Sequence, residues 1–262
     1  MLSSLKDNFA ITYKYRELIA SLVAKELKAR YRGSILGMAW TFLNPLLLLS
    51  VYALVFSVYM RIQVENYAVF MFAGLLPWVW FSTSLLEGVG SITQAGALIT
   101  KSMFPAEVLP MVKIVANLFN YIFSLPLLFG FMLWYGVDIS LTVAWLPFIM
   151  LVQLLFTMGL VYFLAALNVR FRDVQHVMAN FIVLWFFLCP IIYPMTSIPD
   201  KWRFTFYLNP MAILSVGYQD IFIHSQRPDL FSIAMVMLVG LLCLVLGVRQ
   251  FERDRETFAE EI

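Results

Sequence analysis

The sequence predicts an all-α integral membrane protein with six transmembrane helices and both termini in the cytoplasm, and three observations predict it. Of 262 residues, 62% are apolar and 13% charged, against about 45–50% and about 25% in an ordinary soluble domain. The apolar residues gather in unbroken runs that approach or exceed the roughly 20 residues, at about 1.5 Å each, that cross the hydrocarbon core of a bilayer. These runs lack the period-2 alternation of a barrel strand, so helices must pair the backbone groups that lipid leaves unsatisfied.

The whole chain, 1–262, reads as one transmembrane domain. Seven basic residues precede the first apolar run without an A-x-A-like cleavage site, so that run is expected to be a retained helix. Residues 13–32 carry Leu18, Ile19, Leu22, Val23, Leu27 and Tyr31 close to the helical period, interleaved with Lys25, Lys28 and Arg30. This pattern predicts a basic amphipathic helix on the cytoplasmic membrane face; a plain anchor for the first span is the other reading. Spans are expected at 36–60, 67–86, 114–135, 143–167, 177–193 and 230–248. The fifth is the shortest and ends in Pro190 and Pro194. Fourteen of the 18 Lys and Arg residues fall on the side of the termini and four, Arg61, Lys201, Arg203 and Arg227, on the other. That asymmetry places the termini inside.

Two connecting segments are unlike slack loops. The stretch 87–110 is rich in small residues and ends in Lys101, Phe104, Pro105, Glu107 and Pro110, which predicts a short helix stopped by Pro105. It is either a docking surface for a soluble partner or an inert connector. Residues 194–229 are external by topology yet apolar, and Asn209-Pro210 divides them. A pair of half-helices dipping back into the outer leaflet satisfies both facts, since irregular backbone at that depth needs protein or a water-filled cavity around it.

Several chemistries are disfavoured. A net charge of +2 gives no basis for nucleic-acid binding. Cys189 and Cys243 lie inside apolar runs and suggest no disulfide framework. Ionisable groups are nearly absent from the spans, which disfavours a proton relay or ion pathway; Asn117, Asn120, Gln153 and Asn180 read as hydrogen-bonding links between helices. The sequence has no H-E-x-x-H, G-x-S-x-G or paired intramembrane carboxylates, and His176 and His224 fall on opposite sides, so neither a catalytic group nor a metal site is assigned. The phosphate loop G-x-x-x-x-G-K-[ST] is missing too. If a nucleotide drives this protein, another polypeptide binds the ATP and magnesium.

A set of short motifs runs through nearly the whole chain: Arg30-Tyr31-Arg32-Gly33-Ser34-Ile35-Leu36-Gly37-Met38-Ala39-Trp40 followed by Asn44-Pro45; Leu76-Pro77-Trp78-Val79-Trp80-Phe81; Leu98-Ile99-Thr100-Lys101 with Phe104-Pro105 and Leu109-Pro110; Val169-Arg170-Phe171-Arg172-Asp173-Val174 with His176; and Pro190-Ile191-Ile192-Tyr193-Pro194 with Leu208-Asn209-Pro210. In their order and spacing the sequence resembles the permease subunits of type-2 ABC exporters of O-antigen, capsular polysaccharide or teichoic acid. The resemblance implies a homodimer of six-helix permeases bound to two ABC-type ATPase subunits in the bacterial inner membrane, moving an undecaprenyl-pyrophosphate-linked glycan. It implies that 92–105 is the coupling helix, with Ile92, Ala97, Leu98, Ile99, Lys101, Phe104, Pro105 and Glu107, joined by Arg170, Arg172 and Asp173, at the ATPase.

Under that reading, Arg16, Arg30 and Arg32 attract the lipid pyrophosphate at the cytoplasmic interface; each also simply serves the positive-inside bias. Trp40, Tyr59, Trp78, Trp80, Phe81, Trp185, Phe186, Phe187 and Tyr193 supply aromatic faces for a channel along which sugars slide, or are interfacial and core residues. Pro194, Tyr207, Asn209 and Pro210 are placed at the outer gate. A permease for a small hydrophobic drug or lipid shares the same plan, and a membrane-embedded lipid-processing enzyme or scaffold is the reading from another class.

Overall fold

The structure, a computed structural model, describes residues 13–30, 32–62, 64–102, 104–255 and 258, without the side chains of 100–102. All regular structure among them is helical. Five helical segments are long and apolar enough to cross a membrane: Gly37–Tyr59, Tyr67–Val89, Val108–Tyr135, Leu141–Arg170 and Leu230–Asp254; Asp173–Phe187 is apolar but shorter.

Helix α1 (Arg16–Arg30) lays its apolar stripe on protein: Ile19 and Val23 are buried with Val108, Val112 and Ala116. Tyr31, in the expected helix, lies outside the described residues. Gly33 and Gly37, both at positive φ (+79° and +50°), turn the chain into a short 3-10 turn and α2 (Trp40–Tyr52), which widens into a π-helical segment, Ala53–Tyr59. The centre of the bundle is α3 (Tyr67–Val89), buried on almost every side by its neighbours.

Between spans, the connector is two short helices, α4 (Ser91–Gln94) and α5 (Gly96–Ser102), broken at Ala95. The single helix expected up to Pro105 therefore ends sooner, because a residue preceding proline avoids the helical region. Helix α6 (Val108–Tyr135) starts six residues before the expected 114; Pro110 sits in its first turn, where its missing N–H has no partner to lose. Gly136, at φ +69°, closes α6 with left-handed backbone.

Helix α7 (Leu146–Arg170) forms its most extensive pairing with α11 (Leu230–Asp254). A Cβ on Gly159 would stand 2.4 Å from the Leu244 backbone nitrogen, and one on Gly247 equally close to the Gly159 carbonyl oxygen. Small residues let two backbones touch, which is how helices associate where lipid offers no hydrophobic drive. Beyond Val248, α11 runs on to Asp254, and Phe251 and Phe258 are buried with Ile92 and Tyr162. Hydropathy marks where lipid ends, and this helix continues past it.

The expected fifth span is the clearest correction. Helix α8 (Asp173–Phe187) has 15 residues, about 22 Å at 1.5 Å each, short of a hydrocarbon core about 30 Å thick. It begins before 177 and stops well before 193. Residues 188–194 continue as irregular backbone whose carbonyls are paired by side chains: Asn209 Nδ2 donates to Leu188 O (3.2 Å), Gln219 Nε2 to Pro190 O (2.8 Å) and the Tyr67 hydroxyl to Ile192 O (2.8 Å). Non-helical backbone survives at depth under that condition. Two helical pieces follow, α9 (Phe204–Tyr207) and α10 (Pro210–Phe222), divided at Asn209. Most residues of α10 are buried.

Candidate functional site

The basic ends of the helices meet in a set of ion pairs that fasten the two ends of the chain to its middle. Arg30 at the end of α1 donates through Nη2 to both oxygens of Glu87 (2.9 and 2.8 Å) and through Nη1 to Asn117 Oδ1 (2.9 Å), while Asn117 Nδ2 donates to Glu87 Oε2 (2.9 Å). Lys113 bonds Glu26 at 2.5 Å. Arg255, just past α11, pairs with the buried Glu107, whose backbone carbonyl accepts the Tyr162 hydroxyl at 2.8 Å. Hydrogen bonds between a guanidinium and a carboxylate are charge-assisted and stronger than those between neutral groups; here both bonds to Glu87 come from Nη2, and Nη1 serves Asn117.

Two expectations change here. Arg30 is not a free positive charge for a lipid pyrophosphate, because its charge is already matched by Glu87. Glu107 is buried and paired, so it is not presented to a partner. Arg16 and Arg32 remain exposed. The pairing of Glu87 escapes sequence reasoning that ends the span at residue 86. The signal was a lone carboxylate at the close of an apolar run, since such a group needs a named partner.

Of the residues expected to couple to an ATPase, Ile92 is fully buried against α7 and the tail, and Phe104 is partly buried against α1 and α6. Ala97, Leu98, Arg170, Arg172 and Asp173 are exposed; Ile99 and Pro105 are half-buried. The side chain of Lys101 lies outside the described residues. Sequence reasoning missed Phe171, an exposed ring in extended backbone between two arginines, with the Arg170 guanidinium 5.6 Å from its centroid. Beside it Thr93, Gln94, Asn168, Arg172, Gln175 and His176 line a polar groove of about 340 Å³. Asn168 ties the groove together: its amide donates to Val89 O (3.2 Å) and its Oδ1 accepts from Gln175 N (3.0 Å).

The aromatic residues divide in two. Trp78, Phe81 and Phe186 are buried and interlock with Trp185 and Tyr52: Phe81 meets Trp185 edge-on at 5.2 Å and Tyr52 stacks on Phe186 at 5.5 Å. Trp80 stacks on Tyr121 at 5.4 Å. Since α3 is the central helix, its rings serve as packing, and within one chain Phe81 has no open face. Tyr59 and Phe187 are exposed, and Trp40, Trp185 and Tyr193 partly so. Between α2, α3 and α6 lies a cleft of about 360 Å³ with Arg30 at its edge. Gln153, on α7, donates to Pro77 O at 2.8 Å and links two helices, whereas Asn180 bonds only within its own helix.

At the opposite end, Asn209 is a junction. Its Oδ1 accepts from the Trp185 indole (2.8 Å) and from Ala212 N (3.3 Å), capping α10, while its Nδ2 holds the end of α8. Pro210 begins α10; Tyr207, which ends α9, is exposed, and Pro194 precedes both helical pieces. A separate cavity of about 540 Å³ is lined in part by Glu65, Asp138, Pro194, Gln219 and His224, so that of the four expected gate residues only Pro194 reaches it. His224 Nδ1 bonds Asp220 Oδ1 at 3.0 Å, and that hydrogen bond raises its pKa above the ordinary 6.5.

A bundle of long apolar helices, with basic residues clustered at one end beside a short-helix connector, defines a multi-pass membrane protein. Residues 17–223 match the family model described as ABC-2 type transporter, and the chain belongs to that family. It is 46% identical over 252 residues to the "O-antigen export system permease protein RfbA" of Myxococcus xanthus, covering 95% of this chain and 97% of the relative. Two Klebsiella pneumoniae proteins of the same description are 31% and 30% identical over 258 residues, 98% of this chain and 99% of each relative.

Proposed function

We propose that this chain is the membrane-spanning permease subunit of an ATP-driven exporter that moves a lipid-linked, O-antigen-type polysaccharide from the cytoplasm across the bacterial inner membrane. The observation that carries the proposal is near full-length similarity, up to 46% identity, to permeases described as O-antigen exporters. In this reading α8 together with residues 188–194 makes a sixth crossing, and both termini are cytoplasmic. Residues 204–222 re-enter the outer leaflet. Two copies of the chain form the channel, and two ATPase subunits supply nucleotide and magnesium, with no cofactor on this chain. Support for docking at the connector comes from the exposed Ala97 and Leu98 on α5 and from exposed Arg172, which shares a groove with Thr93 and Gln94 of α4.

ATP-driven closure of the ATPases pushes α4 and α5, and the ion-paired basic end carries that push into α3 and α6. Exposed Arg16 and Arg32 draw the pyrophosphate headgroup to the interface, each worth about 1 kcal/mol near an anionic surface. The test is reconstitution of the chain with its ATPase in vesicles. ATP-dependent movement of a lipid-linked glycan is expected, and deletion of residues 95–104 is expected to abolish it. Movement of only a small hydrophobic cargo would overturn the polysaccharide reading, and movement that survives the deletion would overturn the coupling role.

A further inference from the structure

We infer that the cleft between α2, α3 and α6 is a binding site for a neutral, hydroxyl-bearing ring, one sugar residue of the exported glycan. The inference rests on the polysaccharide reading above and names where that substrate is held.

The charge balance comes first. Arg30 is the single ionisable Lys, Arg, Asp or Glu among the residues lining the cleft, and Glu87 and Asn117 already occupy its guanidinium. An anion entering here meets a neutralised arginine with a carboxylate behind it. A phosphate is therefore a poor occupant.

The unmet hydrogen bonds come second. Among the described residues, the indole N–H of Trp80 and the side-chain carbonyl oxygen of Asn120 are buried without a partner, and both residues line the cleft. Trp80 is 2% exposed and its ring is fixed against Tyr121 by stacking at 5.4 Å, so its donor is held in place before any ligand arrives. Polar atoms buried in a membrane protein without partners are costly. Together with the Tyr121 hydroxyl, likewise buried without a partner in the lining, this donor and acceptor on neighbouring helices call for a ligand that both accepts and donates without charge. A hydroxyl does both.

Size and surroundings come third. About 360 Å³ is at the lower end of small-molecule sites, roughly 300–1,000 Å³, room for a ring and too little for a folded chain. Trp40 stands partly exposed in the lining, its own N–H held by Ser34 Oγ at 3.1 Å, and offers apolar contact beside the polar atoms. A ligand hydroxyl would satisfy these atoms with hydrogen bonds worth about five-fold in affinity, or about 1 kcal/mol net, each. Weak, reversible holding of that kind suits a cargo that must move on.

The experiment uses the permease with its ATPase in nanodiscs without ATP, carrying a cysteine at exposed Asn44 or, separately, at Thr83, both in the cleft lining. The rate of thiol modification is measured with the lipid-linked glycan, with the same lipid pyrophosphate bearing no sugar, and with anionic phospholipid alone. The glycan-bearing lipid is expected to protect both cysteines, and the other two are not. Trp80→Phe, which keeps an aromatic face but removes the indole N–H, and Asn120→Leu are each expected to raise the concentration needed for protection about five-fold, the worth of one net hydrogen bond; co-purification of the ATPase checks that they fold. Equal protection by the sugar-free lipid, or protection by none, overturns the site. Protection in a protein that never moves glycan on ATP leaves the site and sinks the transport reading. Transport without protection does the reverse.

Discussion

At the scale of single residues, Arg30, Glu87 and Asn117 show how a bundle of apolar helices tolerates charge. The Arg30 and Glu87 side chains are 24% and 35% exposed, so removing one leaves the other half-sheltered and unpaired. We expect Glu87→Gln to cost roughly 1–3 kcal/mol, and Arg30→Gln added to it to cost little more; thermal unfolding of the single and double variants measures the coupling. His224 makes a second residue-scale prediction. Its pKa is raised by the Asp220 hydrogen bond, so its stabilising contribution is full below its ordinary value, about 6.5, and fades as pH rises through the higher folded value. The stability gap between the wild type and His224→Gln should therefore be widest in mild acid and close in alkali. A gap that widens with pH overturns that assignment.

Whole elements are held by features of different legibility. The α7–α11 contact depends on glycine, and Gly159→Leu is expected to abolish folded protein because its side chain meets backbone, while Gly130→Leu, with nothing within 4 Å of its Cβ, is tolerated; yield of monodisperse protein after extraction decides. Asn209→Ala removes the cap of α10, worth about 1 kcal/mol, and frees the Trp185 N–H and the Leu188 carbonyl as well. Hydrogen exchange should rise in 185–194 and 209–213 and stay flat in α7. Long spans were readable from hydropathy alone, and Asn209-Pro210 did mark a helix boundary. The end of α8 was not readable. Residues 188–193 are as apolar as a span, and what holds their backbone out of a helix is pairing with Tyr67, Asn209 and Gln219, partners 21 to 125 residues away along the chain.

For the molecule as a whole, the family and the membrane class were legible in composition and motif order, whereas the site was legible only in outline. Arginines and aromatics could be assigned to helix ends and connectors, but which of them face outward depends on α3 being central, a packing fact that no short motif records. Sidedness is testable at this scale. Single cysteines at exposed Gln94 and Thr196 should react from opposite faces of sealed vesicles with an impermeant maleimide, and labelling from one face would overturn the six-crossing scheme. The fastening of Glu26, Arg30 and Arg255 onto residues 87, 107 and 113 has a mechanical corollary. Segments near both ends of the described chain are tied to the same two inner helices, so a displacement of either helix end would be shared at once by three anchorages, and the basic end would move as one stiff plate.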